Sequence, residues 1–184
     1  MTADHRFPKG NAAYINRLNK VRVLDRIRSE DTISRAQIVK DTGLSAPTVT
    51  RIVESLIQHE GLVADVGMGN SSGGRPPILV KFQGEASFVI GIDLGATKIR
   101  GVLANLNAEI LEESQKETLV EEGFEAVADR VSGVIEGLIA KGRALQGEIR
   151  GIGIAVAGLI NTLYETVELS PDFNWKDVPL YDNL

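Results

Sequence analysis

No cysteine occurs among the 184 residues, so disulfides and cysteine-based zinc sites are excluded within the chain. No apolar run opens the sequence, and Met1–Gly10 lacks the hydrophobic stretch of a secretory signal. The longest apolar stretch, around Ile152–Ile160, falls far short of the roughly 20 residues that a membrane-spanning helix requires. A soluble, cytoplasmic protein without membrane contact is expected. Internal repeats and long low-complexity segments are also missing. Net positive charge is lacking too: the balance is −5, which taken alone argues against a nucleic-acid binder.

That balance hides an uneven division. Residues 1–82 carry 12 Lys/Arg against 8 Asp/Glu, whereas residues 83–184 carry 8 against 17. Such asymmetry suggests a modestly basic module suited to nucleic acid beside an acidic one with another task. With 43% hydrophobic residues the chain can build real cores. The motifs divide it into residues 12–82 and 87–184.

In the first part, a helix is predicted over Ala12–Arg28, with Ile15, Leu18, Val21, Leu24 and Ile27 on its inner side. Its outer side is basic (Arg17, Lys20, Arg22, Arg26, Arg28), either a solvated face or a set of phosphate contacts. A second helix starts at a capping box formed by Ser34 and Gln37, with Ile33 and Ile38 spaced as a hydrophobic staple. It ends at Thr42-Gly43, where glycine can take a left-handed conformation. Ser45 then caps a third helix, Ala46 to about Glu60, whose Val49, Ile52, Val53, Leu56 and Ile57 form one buried stripe. The opposite face carries Ala46, Pro47, Thr48, Thr50 and Arg51, small and hydroxylated residues that let a helix enter a major groove, with an arginine to reach a guanine edge or a phosphate. An ordinary three-helix bundle is the alternative. The adjoining segment favours DNA: a hairpin of Leu62–Val66 and Ile78–Phe82, joined by a Gly/Ser-rich wing ending in Gly73-Gly74-Arg75-Pro76-Pro77. Glycines there permit close approach, prolines keep the segment extended, and Arg75 suits a narrow minor groove; a flexible linker is the alternative.

The second part reads as strand, tight turn, strand: Phe88–Ile92, the turn Asp93-Leu-Gly95-Ala96-Thr97-Lys98, then Ile99–Ala104. A third strand is predicted near Glu109–Thr118, a helix from about Gly123 to Lys141, and a buried strand over Ile149–Ala157. This is a layered α/β arrangement. At the turn, backbone N–H groups freed by glycine can face phosphate oxygens, Thr97 adds a hydroxyl, and Asp93 could hold a hydrated Mg²⁺. A plain β-hairpin needing Gly and Asp explains the same string.

Together these motifs resemble the ROK family of repressors, open reading frames and kinases, over roughly Asn16 to Leu180. The fold class so implied is α+β: an N-terminal winged helix-turn-helix, then the first part of an actin/hexokinase-like α/β (ribonuclease H-like) lobe. Asp93, Gly95, Thr97 and Lys98 match the family's Asp-x-Gly-Gly-Thr-Lys phosphate loop, with Ala96 where a second glycine is usual; alanine tolerates positive φ less well. Ile152–Asn161 resembles a later strand and turn, reaching Gly158, with Ala157 in place of a proline. Ser170-Pro-Asp172-Phe-Asn174-Trp-Lys-Asp-Val-Pro-Leu180 resembles a segment bordering the sugar cleft, Asp172 standing where Asn is expected. The resemblance implies that the catalytic Asp, the zinc-binding His/Cys cluster, the adenosine site and most of the dimer interface lie beyond Leu184, in a protein about twice as long.

These motifs support three readings. The first is a transcriptional regulator of carbohydrate genes, a repressor, in which Ser45, Pro47, Thr48, Thr50 and Arg51 read the major groove. Gly74, Arg75 and Pro76 then enter the minor groove and Arg35 fixes register on phosphates. A sugar or sugar-phosphate effector and a homodimer or higher homo-oligomer on double-stranded operator DNA are implied. The second is an ATP/Mg-dependent sugar kinase with an accessory DNA-binding domain, inactive in this form. The third is a non-functional remnant with an uncovered lobe.

Overall fold

The computed structural model describes residues 12–69, 76–163 and 165–184. The chain divides into two compact units, Met1–Gln83 and Gly84–Leu184. Each has a hydrophobic core of its own. Gly74 and Arg75 at the expected wing tip lie outside the described residues.

The first unit runs α1 (Ala12–Arg28), β1 (Ile33–Ser34), α2 (Arg35–Thr42), α3 (Ala46–Gln58), β2 (Val63–Met68) and β3 (Ile78–Phe82). The strands form one antiparallel sheet in the order β1-β3-β2. Local chemistry sets the helix ends. Ser34 Oγ accepts the Gln37 N–H at 3.1 Å. Gly43, at φ 69°, lets its N–H reach the Val39 carbonyl. The capping box is only half made, because the Gln37 amide turns along the helix to Asp41 Oδ1 at 2.7 Å, a charged acceptor. Ser45 caps α3, and Val49, Ile52, Val53 and Leu56 are buried as the stripe requires, with Ile57 packed at its margin.

The expected inner face of α1 holds only toward its C-terminal end, where Ile27 is buried and Leu24 packs against the same core. Val23 and Ile27 are the buried residues, while Ile15, Leu18 and Val21 remain about half exposed. Residues spaced by three drift about 60° per step on a helix of 3.6 residues per turn, so five in succession spread over two thirds of the circumference. They cannot share one face. The four-residue step from Val23 to Ile27 stays on one side, and the helix packs through its C-terminal half.

The second unit runs β4 (Ser87–Leu94), β5 (Lys98–Asn105), β6 (Ile110–Glu117), α4 (Phe124–Ala144), β7 (Glu148–Val156), β8 (Leu159–Asn161), β9 (Thr166–Ser170) and β10 (Trp175–Val178). Its main sheet, β6-β5-β4-β7, is mixed: β7 lies parallel to β4 and the other neighbours are antiparallel. Parallel pairing demands a crossover, and α4 supplies it. Val127, Val131, Val134 and Leu138 of α4 share a core with Ile90, Ile92, Leu94, Ile99 and Leu103 of the sheet. The approach is close because Gly101 lacks a side chain: a Cβ there would lie 2.6 Å from Val134 Cγ1.

Two features depart from the sequence expectation. β7 is not a buried strand; among the described residues it has one strand neighbour, and Ile152 is half exposed. Its apolar run is covered on one flank by β4 among the described residues. Residues 159–178 also form a second antiparallel sheet, β10-β9-β8, which no alternation in the sequence announces. No helix among the described residues is long and apolar enough to cross a membrane.

Candidate functional site

The first turn of α3 presents an exposed polar surface. Ser45, Pro47, Thr50 and Arg51 are exposed and Thr48 is half-buried. The Ser45 hydroxyl accepts the Thr48 N–H at 3.4 Å and lies 2.9 Å from the Thr48 hydroxyl. Capping therefore occupies both hydroxyls, and Pro47 is accommodated in the first turn, where no intrahelical donor is lost. Arg51 leans toward α1 and donates to Asn16 Oδ1 at 3.2 Å. Arg35 is held by Asp65 of β2 at 3.0 Å. Pro76 is half-buried beside the base of the β2–β3 hairpin, where Gly69 N–H donates to the Pro77 carbonyl at 2.8 Å.

Sequence reasoning missed a groove between α1 and α3. It encloses about 570 Å³ and is lined by Asn16, Arg17, Lys20, Arg51 and His59, among others. No local signal could reveal it, because Arg17 and Arg51 come together only through helix packing. The remaining basic residues of α1 are largely committed inside the unit. Lys20 pairs with Glu60 at 2.5 Å, and Arg28 lies over the Phe82 ring at 5.5 Å. Arg26 bridges Asp41 at 2.6 Å and Glu30 at 2.9 Å. The hydrogen bond from Arg26, with a second from Gln37, holds the Asp41 carboxyl below its ordinary range, and the same bond raises Arg26.

In the second unit, Asp93 lies near the end of β4, Gly95, Ala96 and Thr97 form the β4–β5 turn, and Lys98 opens β5. Thr97 and Lys98 are exposed, Gly95 and Ala96 half-buried. Gly95 N–H donates to the Lys98 carbonyl at 3.0 Å. The turn is close-packed at this point: a Cβ at Gly95 would lie 3.1 Å from that carbonyl oxygen, which would have to give by a few tenths of an ångström. Ala96 is not among the residues of positive φ, so alanine meets no strain at that position. Asp93 stands directly across from Arg100, whose guanidinium lies 3.5 Å from its carboxylate.

Gly158, Asp172 and Asn174 are drawn toward the same end of the unit. Leu94 pairs with Val156 in the parallel register of β4 and β7, so the 95–97 turn and the Ala157-Gly158 turn leave the sheet side by side. Gly158 has φ 148°, and its added Cβ would lie 3.1 Å from the Cβ of Ser170, two residues before Asp172. Ser170 Oγ donates to the Ala157 carbonyl at 2.5 Å, fastening the two segments. Asp172 and Asn174 are exposed, while Phe173 and Trp175 between and after them are buried as anchors. Trp175 meets Phe124 edge-on at 5.2 Å between ring centroids and Phe173 at 4.5 Å. Asn174 takes a left-handed φ of 53° to close this turn on the Pro171 carbonyl.

The turn residues fit a phosphate group through N–H, hydroxyl and ammonium donors. A cation has less to hold it. Asp93 is already paired with Arg100, and no group of three or more His, Cys, Asp or Glu among the described residues could hold a metal ion.

The ROK family profile matches residues 89–184. The chain belongs to the ROK family. Among curated relatives, a xylose repressor of Caldicellulosiruptor bescii is 35% identical over 171 residues, covering 93% of this chain and 43% of the relative. A xylose repressor of Bacillus subtilis (strain 168) is 32% identical, covering 93% of this chain and 44% of the relative. This ROK chain thus spans less than half the length of the curated relatives it matches. In structure it is similar to a ROK family transcriptional regulator, a homologue of the E. coli MLC protein, with TM-score 0.73 and 22% identity, covering 92% of this chain and 43% of that one. That likeness concerns the fold.

Proposed function

We propose that this ROK chain belongs to a sugar-responsive transcriptional repressor. Its first unit is a winged helix-turn-helix that reads DNA. Its second is the opening part of an actin/hexokinase-like, ribonuclease H-like lobe that takes a small sugar or sugar phosphate. The observation that carries the reading is the first turn of α3: Ser45, Pro47, Thr50 and Arg51 face outward from a helix whose opposite stripe is buried, entered from α2 through left-handed Gly43. Relatives named xylose repressors support a pentose as the first effector to try.

On this reading Ser45, Pro47, Thr48 and Thr50 meet base edges in the major groove. Arg51, tethered beside Arg17 by Asn16, grips a phosphate, and Arg35 joins it by exchanging Asp65 for phosphate oxygen. Gly74, Arg75 and Pro76 enter the minor groove. The protein acts in the cytoplasm as a homodimer on a two-fold site, and the sugar acts by changing the spacing of the two recognition helices. The test is selection of genomic fragments by the purified chain across a salt series, beside Arg51→Ala. Selective binding that falls steeply with salt, and is lost in the variant, is expected. A folded chain that selects nothing at any salt overturns the reading for this chain.

The free donors of the β4–β5 turn favour a second reading, an ATP-dependent sugar kinase with an accessory DNA-binding unit. Transfer of labelled phosphate from ATP to a sugar, by a form as long as the relatives, separates the two.

A further inference from the structure

The turn between β4 and β5 departs from an ordinary hairpin at one bond. Where two antiparallel residues form a hydrogen-bonded pair across a two-residue connection, each N–H reaches the other's carbonyl. Gly95 N–H does reach the Lys98 carbonyl, at 3.0 Å, but the reciprocal bond is not made. The Gly95 carbonyl instead accepts the hydroxyl of Thr118 at 2.6 Å. The backbone N–H of Thr118 also donates to the Thr97 carbonyl, at 3.0 Å. One fully buried residue at the end of β6 thus holds two of the turn's carbonyls. Its own place is fixed by the β5–β6 register, in which Lys98 stands opposite Glu117.

Peptide geometry turns this into a statement about donors. In a trans peptide the C=O and N–H point in opposite directions. Fixing the Gly95 carbonyl on Thr118 therefore aims the Ala96 N–H away from Thr118, and fixing the Thr97 carbonyl does the same for the Lys98 N–H. Among the turn and loop bonds of the described residues, none takes up the N–H of Ala96 or Thr97, and none joins the Lys98 N–H to the Gly95 carbonyl. Successive free N–H groups of this kind make an anion-binding concavity, and the exposed Thr97 hydroxyl and Lys98 ammonium belong to the same turn.

We infer that Thr118 is a positioning residue that keeps this turn open for phosphoryl oxygens, its hydroxyl taking the carbonyl that would otherwise close the turn on the Lys98 N–H. The inference rests on the reading of Asp93–Lys98 as a phosphate loop, and it concerns the residue that holds the loop rather than the loop itself. Threonine suits the role because its hydroxyl and its own N–H reach two loop carbonyls, of Gly95 and Thr97, from one buried place. Valine keeps the shape and the N–H but gives up the hydroxyl. Serine keeps both donors.

The experiment compares the wild-type chain with Thr118→Val and Thr118→Ser by amide NMR. Inorganic tripolyphosphate presents the tail of a nucleoside triphosphate, and glucose 6-phosphate presents a sugar monoester. Whichever shifts the Ala96, Thr97 and Lys98 amides of the wild type identifies the source of the phosphoryl group. Its affinity is expected to fall about tenfold in Thr118→Val, as for loss of one organising hydrogen bond, and to be kept in Thr118→Ser. Equal affinity in Thr118→Val, with the β4–β7 amides undisturbed, overturns the inference. If neither anion shifts the wild-type amides, the phosphate-loop reading fails, and hydrogen exchange at Lys98 then judges the clamp on its own. Exchange there is expected to slow in Thr118→Val, as Lys98 N–H closes on the freed Gly95 carbonyl, and to stay fast in wild type and Thr118→Ser. Unchanged exchange in all three overturns the inference.

Discussion

A methyl group added at Gly158 would sit 2.6 Å from the Leu169 carbonyl oxygen, on a backbone whose φ of 148° already excludes most side chains. Gly158→Ala is expected to lower the second unit's stability by about 1–3 kcal/mol, read as a fall of several degrees in its melting temperature. An unchanged transition would mean that the end of β7 relaxes freely. Asp41 makes a different residue-scale claim. Its carboxyl is held below the ordinary value by Arg26 and Gln37, so its contribution is fully present above the pKa of the unfolded chain and disappears as pH falls through the lowered folded value. The first unit should therefore weaken on acidification below the usual aspartate range. Asp41→Asn should flatten that acid limb in urea titrations run at several pH values; an identical limb in the variant would remove the pair from the account. Ala96 shows where residue-level reading went astray. Glycine in a turn suggests positive φ, yet this turn asks for closeness at Gly95 and sets no such demand at position 96.

At the scale of elements, what was legible depended on how local the cause is. The ends of α2 and α3 could be read because a cap needs only a side chain and the next turn: Ser34, Gly43 and Ser45 sit where their chemistry requires. Ser45→Ala is expected to cost the first unit about 1 kcal/mol by chemical denaturation, and no change would deny the cap any energetic part. The packed side of α1 depended on distant neighbours and was read only in part: Leu24 and Ile27 pack, whereas Ile15, Leu18 and Val21 do not. Ile27→Ala should cost about 2–5 kcal/mol, while Leu18→Gln should cost about 1 kcal/mol or less, because Leu18 is half exposed. Reversal of that order would show that the helix packs through its N-terminal half instead. β7 and the β8–β10 sheet escaped for the same reason, since an edge strand and a buried strand share an apolar composition and differ only in what lies beside them. The groove that gathers Arg17 and Arg51 likewise exists only once α1 and α3 are packed.

At the scale of the whole molecule, the uneven charge and the two separate cores belong together. The basic excess lies in residues 1–82 and the acidic excess in residues 83–184, close to the division between the two compact units. A fragment of residues 1–83 is expected to unfold cooperatively with a dispersed amide spectrum, because Val23, Ile27, Ile38, Val53, Leu56 and Val80 are buried within it. A broad, non-cooperative transition would show that it depends on the remainder of the chain. The motif pattern exposed the Asp93–Lys98 turn and the Gly158 turn separately. Their neighbourhood needed the parallel register of β4 and β7, which is settled only after α4 has crossed between them.

Trp175 gives the second unit an optical signature. It is the single tryptophan of the chain, and it is buried against Phe124 and Phe173 in the turn that presents Asp172 and Asn174. Excited beyond the tyrosine band, the first unit is dark, and every photon comes from one indole at the turn beside the expected cleft. The emission colour is thus a gauge of one place: blue while the ring stays dry, shifting to the red when the turn lifts and water reaches it. A titration followed at that wavelength records what happens at this turn without a label and without interference from the first unit, which holds no tryptophan.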